Sequence, residues 1–565
     1  MAQLSLEILL AEDADAWSAT PANMQAWQQL YQDCPWRFPT LGPDFYRLWL
    51  RHYGKDWKPL LVIGTDAGGK LQALFPLAVR GALITGVGAH QAEYQGWLGS
   101  EDNAGDFLRE ALQGVQDRLP SHRIRLHYLA PAIPPGTVAA VCSRYPAAVL
   151  TQHARPLLRL DKTSIEKNLR KKGTRSKLNR LKRAGQVDFR RLTDIAQIRE
   201  HLASIIAMYD FRQGAANNTC PFLEDPNKEP FLLDWAAQSA DDELHISCMT
   251  VNDRAIAAHI GVCGGQGTQL AILAYSPEYG ACSPGKLQVY HTAQMLAEEG
   301  IAYLDLTPGG DPWKERFATE HDRVLALEVH PGATIAARIR LSNRLDRHAR
   351  SALRGLGVSP TRLKAVLQAA RELLIGKLLQ ALRPAHIEYR LYRVALQRLP
   401  VSPPGGEVRI NDLRQLTLYD PDQRQSGRQP YLARALACLE SGDRIYTIAD
   451  HSRLRCSARL SGPRTKAYVA ETEQDLRFPL PSLLIDDLYC HPDIREGRDA
   501  KILLQRILSD LKEDGIQAAY LGVNTANVND DWLKVLGFEA VGSAHLSRRL
   551  WHKRRWQDIH LDDDA

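Results

Sequence analysis

Residues 274–318 read AYSPEYGACSPGKLQVYHTAQMLAEEGIAYLDLTPGGDPWKERFA, and this stretch decides the fold. Its pattern predicts a strand, a loop, a helix ending at Gly300, a short strand ending at Asp305, and a second loop. In the triplet Ser-Pro-Gly at 283–285, serine can cap the helix, proline suits its first turn, and glycine lets a ligand approach the backbone. Free N–H groups and the helix dipole at such a point favour a diphosphate. The alternative is a helix start with a structural role only.

The sequence around this stretch predicts the same order of elements twice. Residues 1–160 read as helices, a hairpin with its turn at DAGGK, a helix and a buried strand. Residues 195–330 read as a helix, three strands, a helix and a strand. Between them lies a basic helical stretch, DKTSIEKNLRKKGTRSKLNRLKRAG, which Gly185 stops. The repeated order indicates two related domains.

A set of short motifs lies along residues 20–330. They are Phe75-Pro76-Leu77, Glu93-Tyr94, Gly185, Tyr275, Pro277, Tyr279, Ser283-Pro284-Gly285, Gly300, Asp305, Gly309-Gly310 and Trp313-Lys314-Glu315-Arg316-Phe317. Through these motifs, residues 20–330 resemble the CelD-like acetyltransferases, a GNAT family associated with the synthesis of cellulose and other exopolysaccharides. The resemblance implies a pair of GNAT-like domains, as in the FemAB-like transferases, which use either acyl-CoA or aminoacyl-tRNA.

Catalytic candidates follow from position and chemistry. Asp305 ends a strand at the expected cleft, where a carboxylate can deprotonate an amine or hydroxyl nucleophile, and Lys314 lies one loop beyond. Tyr275 completes the catalytic set, and the alternative for Asp305 is a structural cap of the next loop. His245, His259 and His291 are further candidate bases, against a role as buried structural histidines. The residues expected to hold the cofactor here are Ser283, Pro284, Gly285 and Lys286.

Residues 401–565 resemble a single GNAT domain with departures from the usual pattern. The diphosphate-binding segment is Arg495-x-x-Arg498-x-Ala500, in which Arg498 replaces a glycine. Asn527 fits the pattern, but Leu533 stands where a tyrosine acid is expected. Arg495, Ala500 and Asn527 are therefore cofactor-binding candidates in a domain that the resemblance leaves either degenerate or regulatory.

The predicted fold class is α/β, with tandem GNAT-like acyltransferase domains, an Arg-rich helical connector and a third GNAT-like domain. The predicted domains are 1–160, 161–335 with its leading basic helix, 336–400 as a basic helical connector, and 401–565. The connector carries fourteen Lys/Arg and three Asp/Glu, a net +11, and residues 162–183 carry ten Lys/Arg against Glu166, a net +9. These segments favour an acidic partner such as phosphate, nucleic acid or anionic lipid, unless they are solvated helix faces.

The composition and the lack of a recognisable targeting signal favour a cytoplasmic protein. Peripheral contact at the inner face of the membrane is the alternative location. The N-terminus lacks a basic n-region, and no run of 18 apolar residues is present. Nine cysteines, an odd number without zinc-ligand spacing, predict free thiols in a reducing compartment and no metal site.

Three functions remain open from the sequence. The first is an acyltransferase in cell-envelope or exopolysaccharide synthesis, which uses acetyl-CoA or another acyl-CoA and an amine or hydroxyl acceptor such as a lipid-linked sugar or an amino acid. The second is an aminoacyl-tRNA-dependent transferase of the FemAB type, which the basic segments favour. The third is a non-catalytic scaffold or coenzyme A sensor, which the departures at Arg498 and Leu533 permit.

Overall fold

The computed structural model describes most of the chain, in two compact units that are each built around one large sheet. The described residues are 4–239, 243–355, 385–398, 407–420, 427–469, 472–491, 497–525, 531–549 and 552–559. The first unit comprises residues 1–205, 225–274 and 284–355, and the second comprises residues 206–224, 275–283 and 356–565.

The secondary structure is mixed throughout the described residues. The strands are β1 (Ser5–Leu10), β2 (Lys58–Thr65), β3 (Leu71–Arg80), β4 (Leu83–Gly86), β5 (Tyr94–Gln95), β6 (Arg123–Leu126), β7 (Tyr128–Leu129), β8 (Ala148–Arg159), β9 (Val187–Arg191), β10 (Leu244–Val251), β11 (Arg254–Gly264), β12 (Gly267–Tyr275), β13 (Tyr303–Asp305), β14 (Glu320–Val329), β15 (Ala385–Ala395), β16 (Arg409–Ile410), β17 (Arg444–Ala449), β18 (Leu454–Val469), β19 (Gln474–Cys490), β20 (Ala518–Asn524), β21 (Phe538–Arg549) and β22 (His552–Ile559).

The α-helices fall between these strands. They are α1 (Glu12–Ala19), α2 (Pro21–Asp33), α3 (Pro43–Tyr53), α4 (Ala104–Arg118), α5 (Pro135–Arg144), α6 (Lys162–Arg170), α7 (Lys172–Ala184), α8 (Ile195–Asn217), α9 (Pro221–Glu224), α10 (Lys228–Gln238), α11 (Pro284–Glu298), α12 (Pro312–Glu315), α13 (Ala333–Gly355), α14 (Leu413–Thr417), α15 (Arg428–Ser441) and α16 (Arg498–Glu513). Short 3₁₀ helices lie at Pro39–Leu41, Pro277–Cys282, Leu396–Arg398 and Asp531–Leu536. Among the helices described, none is long and apolar enough to cross a membrane.

The first unit has a single 12-stranded sheet that runs through both predicted N-terminal domains. Its strand order is β1-β2-β3-β4-β6-β14-β8-β13-β12-β11-β10-β9. Strand β14 is antiparallel to both of its neighbours, since Leu327 lies opposite Leu126 of β6 and also opposite Leu150 of β8. The regions 1–160 and 161–335 therefore share one sheet. In it, β14 of the second region lies between β6 and β8, which both belong to the first region.

Burial on both faces explains why β2 and β10 could be predicted from the sequence, whereas β1, β8 and β14 of the same sheet were not predicted. Strand β2 reads KPLLVIGT with six consecutive buried residues, and all eight residues of β10 are buried. Near-continuous apolar runs are typical of strands covered on both sides. Helix α3 begins with proline and buries Phe45, Tyr46, Leu48 and Trp49 on one side. At Gly267 a Cβ atom would lie 2.1 Å from the ring of Tyr303, so the pairing of β12 with β13 requires a glycine there.

The second unit has an eight-stranded sheet in the order β16-β17-β18-β19-β20-β15-β21-β22. Helix α16 covers it with Leu503, Leu504 and Ile507, which are fully buried in the same cluster as Ile485 of β19 and Leu521 of β20. Strands β19 and β20 are parallel and pair only through Leu484 and Ile485. The predicted strand, helix and strand of this region are thus present.

Two secondary-structure predictions need correction. The connector 336–400 was expected to be helical, but residues 385–395 form β15, which pairs with β20 and β21 inside the second sheet. Alternating Ile387, Tyr389, Leu391 and the tertiary pairing outweigh a composition rich in helix formers. The single basic helix predicted over 162–183 is two helices, α6 and α7, because Lys171 adopts ψ 136° between them. The second predicted connector helix, at 361–383, lies outside the described residues.

We predict that Leu327→Ala in β14 lowers the free energy of unfolding of the first unit by about 2–5 kcal/mol, because it leaves a cavity where the two halves of the sheet meet. Leu327 is fully buried. Hydrogen–deuterium exchange of full-length protein should show faster exchange in β6 and β8 together. The control is Arg323→Ala on an exposed position of the same strand, which should change stability by about 0.5 kcal/mol or less. Faster exchange in β8 alone would contradict the shared role of β14.

Candidate functional site

The sheet of the first unit opens where β12 and β13 part. These parallel strands pair only through three residues each, and the last pair is Gln269 with Asp305. Strand β13 ends there, whereas β12 continues to Tyr275, so within the described residues no strand pairs with the β13-facing edge of Leu270–Ala274. From Gln269 to Ala274 this edge is about 17 Å long at the usual rise of a strand. Its peptide groups are available to an extended ligand that carries amides.

Helix α11 follows that edge in the chain, after the 3₁₀ helix at Pro277–Cys282. Ser283 precedes the helix in the left-handed conformation (φ 49°, ψ 59°), and its N–H donates to the carbonyl of Gly280 (2.9 Å). Pro284 is the first helical residue and Gly285 follows, both buried. The first N–H groups of a helix lack intrahelical acceptors and carry the positive end of the helix dipole. The predicted Ser-Pro-Gly segment therefore starts a helix of 15 residues, as expected.

Positive charge is concentrated around the first turn of α11. The pKa of Lys286 is lowered, firstly by partial burial and then by repulsion from Lys177, Lys171 and Arg316. These neighbours come from α7, from the residue before α7, and from the residue after α12. Cations that repel one another and gather at a helix start form a site suited to an anion of more than one charge.

Asp305 lies at the centre of a buried polar cluster. Its Oδ2 accepts hydrogen bonds from the Tyr94 hydroxyl (2.5 Å) and from Nη1 of Arg155 (3.1 Å), and its Oδ1 accepts from the N–H of Thr307 (2.8 Å). Arg155 is itself buried and also pairs with Asp322 of β14. Burial raises the pKa of Asp305, and the charge of Arg155 opposes that rise. Three hydrogen bonds give this carboxylate the character of a positioned, structural group.

Lys314 holds the loop that follows Asp305. Its ammonium lies 3.0 Å from Oγ1 of Thr307, 3.2 Å from the carbonyl of Pro308 and 3.2 Å from Oδ2 of Asp311. Thr307 adopts φ 61°, an uncommon conformation for a β-branched residue that the surrounding contacts must enforce. Lys314 and Asp305 thus fix the loop 307–311 from both ends.

Glu93 is a carboxyl group of this region whose pKa lies near neutrality. Burial raises the pKa of Glu93 to about 7, against the opposing charge of Lys314 and with a further contribution from Asp305. In the part of the chain that the structure describes, no group donates a hydrogen bond to this carboxyl. Its side chain is partly exposed, so a ligand can reach it. Glu93 was named from the sequence only as part of the family resemblance, not as a base. The signal that could have identified it is its position directly before Tyr94, whose hydroxyl donates to Asp305.

A cleft in the first unit leads to this cluster. A small cavity of about 50 Å³ is lined by Tyr94, Arg155, Asp305 and Gln269. It shares Arg37 and the glycines of the 264–267 turn with a groove of about 700 Å³. The groove is large enough for a small-molecule acceptor.

The three candidate histidines belong to packed elements of the first unit: His245 lies in β10, His259 in β11 and His291 in α11. His245 and His259 face each other with ring centroids 5.6 Å apart, and His291 stacks on Phe189 at 3.6 Å. Burial lowers the pKa of His245 and of His291 to about 4, and it also lowers the pKa of His259 well below its ordinary value. All three are therefore neutral at physiological pH and contribute to packing.

The remaining predicted site residues belong to the second unit. The Tyr275 hydroxyl accepts a hydrogen bond from Nη2 of Arg212 (2.7 Å), whose guanidinium also stacks on the tyrosine ring. Ala500 is buried in the first turn of α16, after the exposed Arg498. Leu533 is fully buried in the core of the unit. Arg495 and Asn527 lie outside the described residues.

One family model matches part of this region. Residues 168–315 match the family model for an acetyltransferase (GNAT) domain. No curated protein matches the chain. Solved structures that are similar include L-PGS from Bacillus licheniformis (13% identity, 54% of this chain and 96% of that chain, TM-score 0.36). Others are FemX (9%, 54% and 95%, 0.36) and a GCN5-related N-acetyltransferase from Sphaerobacter thermophilus (12%, 58% and 96%, 0.27).

The predicted fold class, α/β with tandem GNAT-like domains, is confirmed. The matched segment 168–315 contains α6 in part, the whole of α7, the strands β10–β13 and the helix α11. The open edge of β12, the cationic start of α11 and Asp305 all lie within it. Residues 168–315 are therefore similar to a GNAT acetyltransferase domain.

Proposed function

We propose that this chain is an acyl-CoA-dependent N- or O-acyltransferase of cell-envelope or exopolysaccharide synthesis. The observation that carries the proposal is the cationic start of α11, which follows the open edge of β12 in the chain, inside the segment that matches the GNAT domain model. The resemblance of residues 20–330 to CelD-like acetyltransferases supports the pathway. Acetyl-CoA and longer acyl-CoAs are both candidate donors.

The donor would lie along the gap between β12 and β13. Its diphosphate would be held by the free N–H groups of α11 together with Lys286 and the neighbouring cations. Its pantetheine amides would pair with the open edge of Leu270–Ala274, as an added strand does. The thioester would then reach the point where the two strands part, next to Asp305.

We assign the general base to Glu93 and a positioning role to Asp305. An acceptor N–H or O–H would attack the thioester carbonyl, and its proton would pass to the Glu93 carboxylate. The tetrahedral intermediate would then expel the coenzyme A thiolate, which takes up a proton. A base with a pKa near the operating pH is the most effective for such a step. Asp305 already accepts three hydrogen bonds, so its carboxylate orients Tyr94 and Arg155 instead.

A FemAB-type, aminoacyl-tRNA-dependent transfer is the second candidate, because ten cations lie within residues 162–183. The salt dependence of ligand binding distinguishes the two candidate functions. Binding of tRNA would fall steeply with rising salt, since it releases condensed counterions, whereas acyl-CoA binding would change less.

Helix α13 supports a peripheral membrane location. Three large apolar side chains on it are exposed, Ile335 by 47%, Leu341 by 59% and Leu345 by 61%. The exposed Arg338 and Arg344 lie beside them. A helix with exposed leucines and arginines suits the interface of an anionic bilayer.

Lys286→Gln is predicted to weaken acyl-CoA binding by about tenfold or more, since a charge-assisted contact to a phosphate is worth about 1.5–3 kcal/mol. Calorimetric titration with acetyl-CoA and a longer acyl-CoA would measure the change. Lys167→Gln, which removes the same charge from the exposed face of α6, is the matched control and should bind like wild type. Equal affinities for wild type and Lys286→Gln would show that the start of α11 does not hold the donor.

The pH dependence of kcat/KM should rise tenfold per pH unit below about pH 7 and level off above it, because the Glu93 carboxyl must be ionised to accept the proton. Glu93→Gln should remove this acidic limb and lower the rate by about 10²–10⁴-fold. Glu101→Gln, an exposed glutamate, is the control. An unchanged limb in Glu93→Gln would assign the base to another group.

Stability gives an independent measurement on the same variant. Because the folded state raises the pKa of Glu93 from its ordinary value of 4.5 to about 7, stability is lost as pH rises through that interval. Glu93→Gln stays neutral, so above about pH 7 it should be more stable than wild type by up to about 3 kcal/mol, and equal to it below about pH 4. Chemical denaturation at both pH values would test this.

Flotation with vesicles tests the membrane location. Wild-type protein should be recovered with anionic vesicles more than with neutral ones, and Leu341→Ser with Leu345→Ser should lower that recovery about tenfold or more, since each inserted leucine contributes about 1.5–3 kcal/mol. Val535→Ser, at another exposed aliphatic side chain, is the control. Equal recovery of the double variant and wild type would exclude α13 as the anchor.

A further inference from the structure

A second cationic groove lies between α6 and α7 in the first unit. It has a volume of about 660 Å³. Its lining consists of four cations, one hydroxyl and one carboxamide, from Arg170, Lys172, Arg175, Ser176, Asn179 and Arg183. Among the described residues, the lining includes no carboxylate, no aromatic ring and no aliphatic side chain, and Arg170 of the lining pairs with Glu166 of α6 at 2.9 Å. Such a surface offers only donors of hydrogen bonds and positive charge, together with two short neutral groups.

Helical spacing explains how one helix supplies most of the groove. Five of the six residues come from α7, at positions i, i+3, i+4, i+7 and i+11 from Lys172. With 3.6 residues per turn these positions share one face, about 17 Å long. The two buried residues of α7, Thr174 and Leu181, lie on the opposite face. Arg170, at the end of α6, faces the same groove. The groove is therefore a consequence of the break at Lys171, which lets two helices converge.

This groove is separate from the start of α11. The cations that repel Lys286 are Lys171, Lys177 and Arg316, and none of them lines the groove. Lys177 is about 140° around the helix from Lys172, so α7 carries two cationic faces. The face with Lys177 contributes positive charge to the start of α11, where the donor diphosphate would lie. The face with Lys172 lines the groove and is not part of that site.

The composition of the groove selects among anionic ligands. Arginine forks match phosphate oxygens bidentately, and Ser176 and Asn179 can donate to the same oxygens. The absence of aromatic rings in the lining gives no platform for stacked bases, which single-stranded nucleic acids require. A volume of this size is typical of a site for a small ligand. The lining is thus most compatible with a compact group of adjacent phosphates.

We propose that the groove lined by Arg170, Lys172, Arg175 and Arg183 binds the diphosphate of a phosphorylated acceptor, carried either by a soluble nucleotide or by a lipid headgroup. That the bound molecule is the acceptor rests on the proposed acyltransferase function. That the groove binds a diphosphate does not depend on that function. A diphosphate held here would anchor the acceptor outside the donor site, so that donor and acceptor can be bound together.

Titration with inorganic pyrophosphate and with a nucleoside diphosphate, each in the presence of saturating coenzyme A, tests the proposal on the full chain. Vesicles of phosphatidylcholine that contain a polyprenyl diphosphate form the lipid arm, and vesicles that contain phosphatidylglycerol form its control. The groove variant is Arg175→Gln with Arg183→Gln. The matched control is Lys162→Gln with Lys167→Gln, which removes the same charge from exposed positions of α6 outside the groove.

Diphosphate binding that persists with coenzyme A, weakens about tenfold or more in the groove variant and stays unchanged in the control would support the proposal. Binding in the soluble arm or in the polyprenyl diphosphate arm identifies the source. Displacement of the diphosphate by coenzyme A would overturn the proposal, as would binding of duplex nucleic acid alone. An equal loss of binding to phosphatidylglycerol vesicles in the groove variant would also overturn it, because α13 by itself is expected to bind anionic vesicles. Coenzyme A binding is measured separately in the same titrations. A chain that binds diphosphate in the groove but no acyl-CoA would therefore contradict the proposed function alone.

Discussion

The buried carboxylate of Asp305 is the constraint on which the candidate site depends. A charge removed from water must be paired and hydrogen-bonded, and here the partners come from four places along the chain: Tyr94, Arg155, Thr307 and, through Arg155, Asp322. Each partner lies on a different strand or loop of the first unit. To satisfy one carboxylate, the chain must bring the first region, β8, β14 and the loop after β13 to one point.

The same requirement sets the division of roles among the acidic groups. A carboxylate that accepts three hydrogen bonds has few lone pairs left for chemistry, whereas the neighbouring Glu93 is desolvated and accepts none from the described residues. The cluster thus separates a fixed charge, which orients the loop held by Lys314, from a titratable group whose pKa is about 7. This arrangement of two carboxyl groups in unlike environments is a common basis for acid–base assignments.

How much the sequence could predict depends on which interactions decided each element. Strands such as β2 and β10 are buried on both faces, so their apolar runs were sufficient, and the Ser-Pro-Gly start of α11 is a local signal. Strand β15 was missed because its partners, β20 and β21, lie more than 120 residues away. Glu93 was missed as a base for a similar reason: its pKa is set by burial and by Lys314, and neither is visible in the residues around it. The break at Lys171 rests on one dihedral angle, which helical propensity does not specify.

Strand β14 also places a demand on protein synthesis. The strand inserts between β6 and β8, yet about 190 residues separate its sequence from β6. At translation rates of 5–20 residues per second, β6 is out of the ribosome for roughly 10–40 s before its neighbour emerges. During that time its unpaired edge is open to other chains, and such edges are sites of aggregation. The β14-facing edge of β6 can therefore be closed only after most of the first unit has been synthesised.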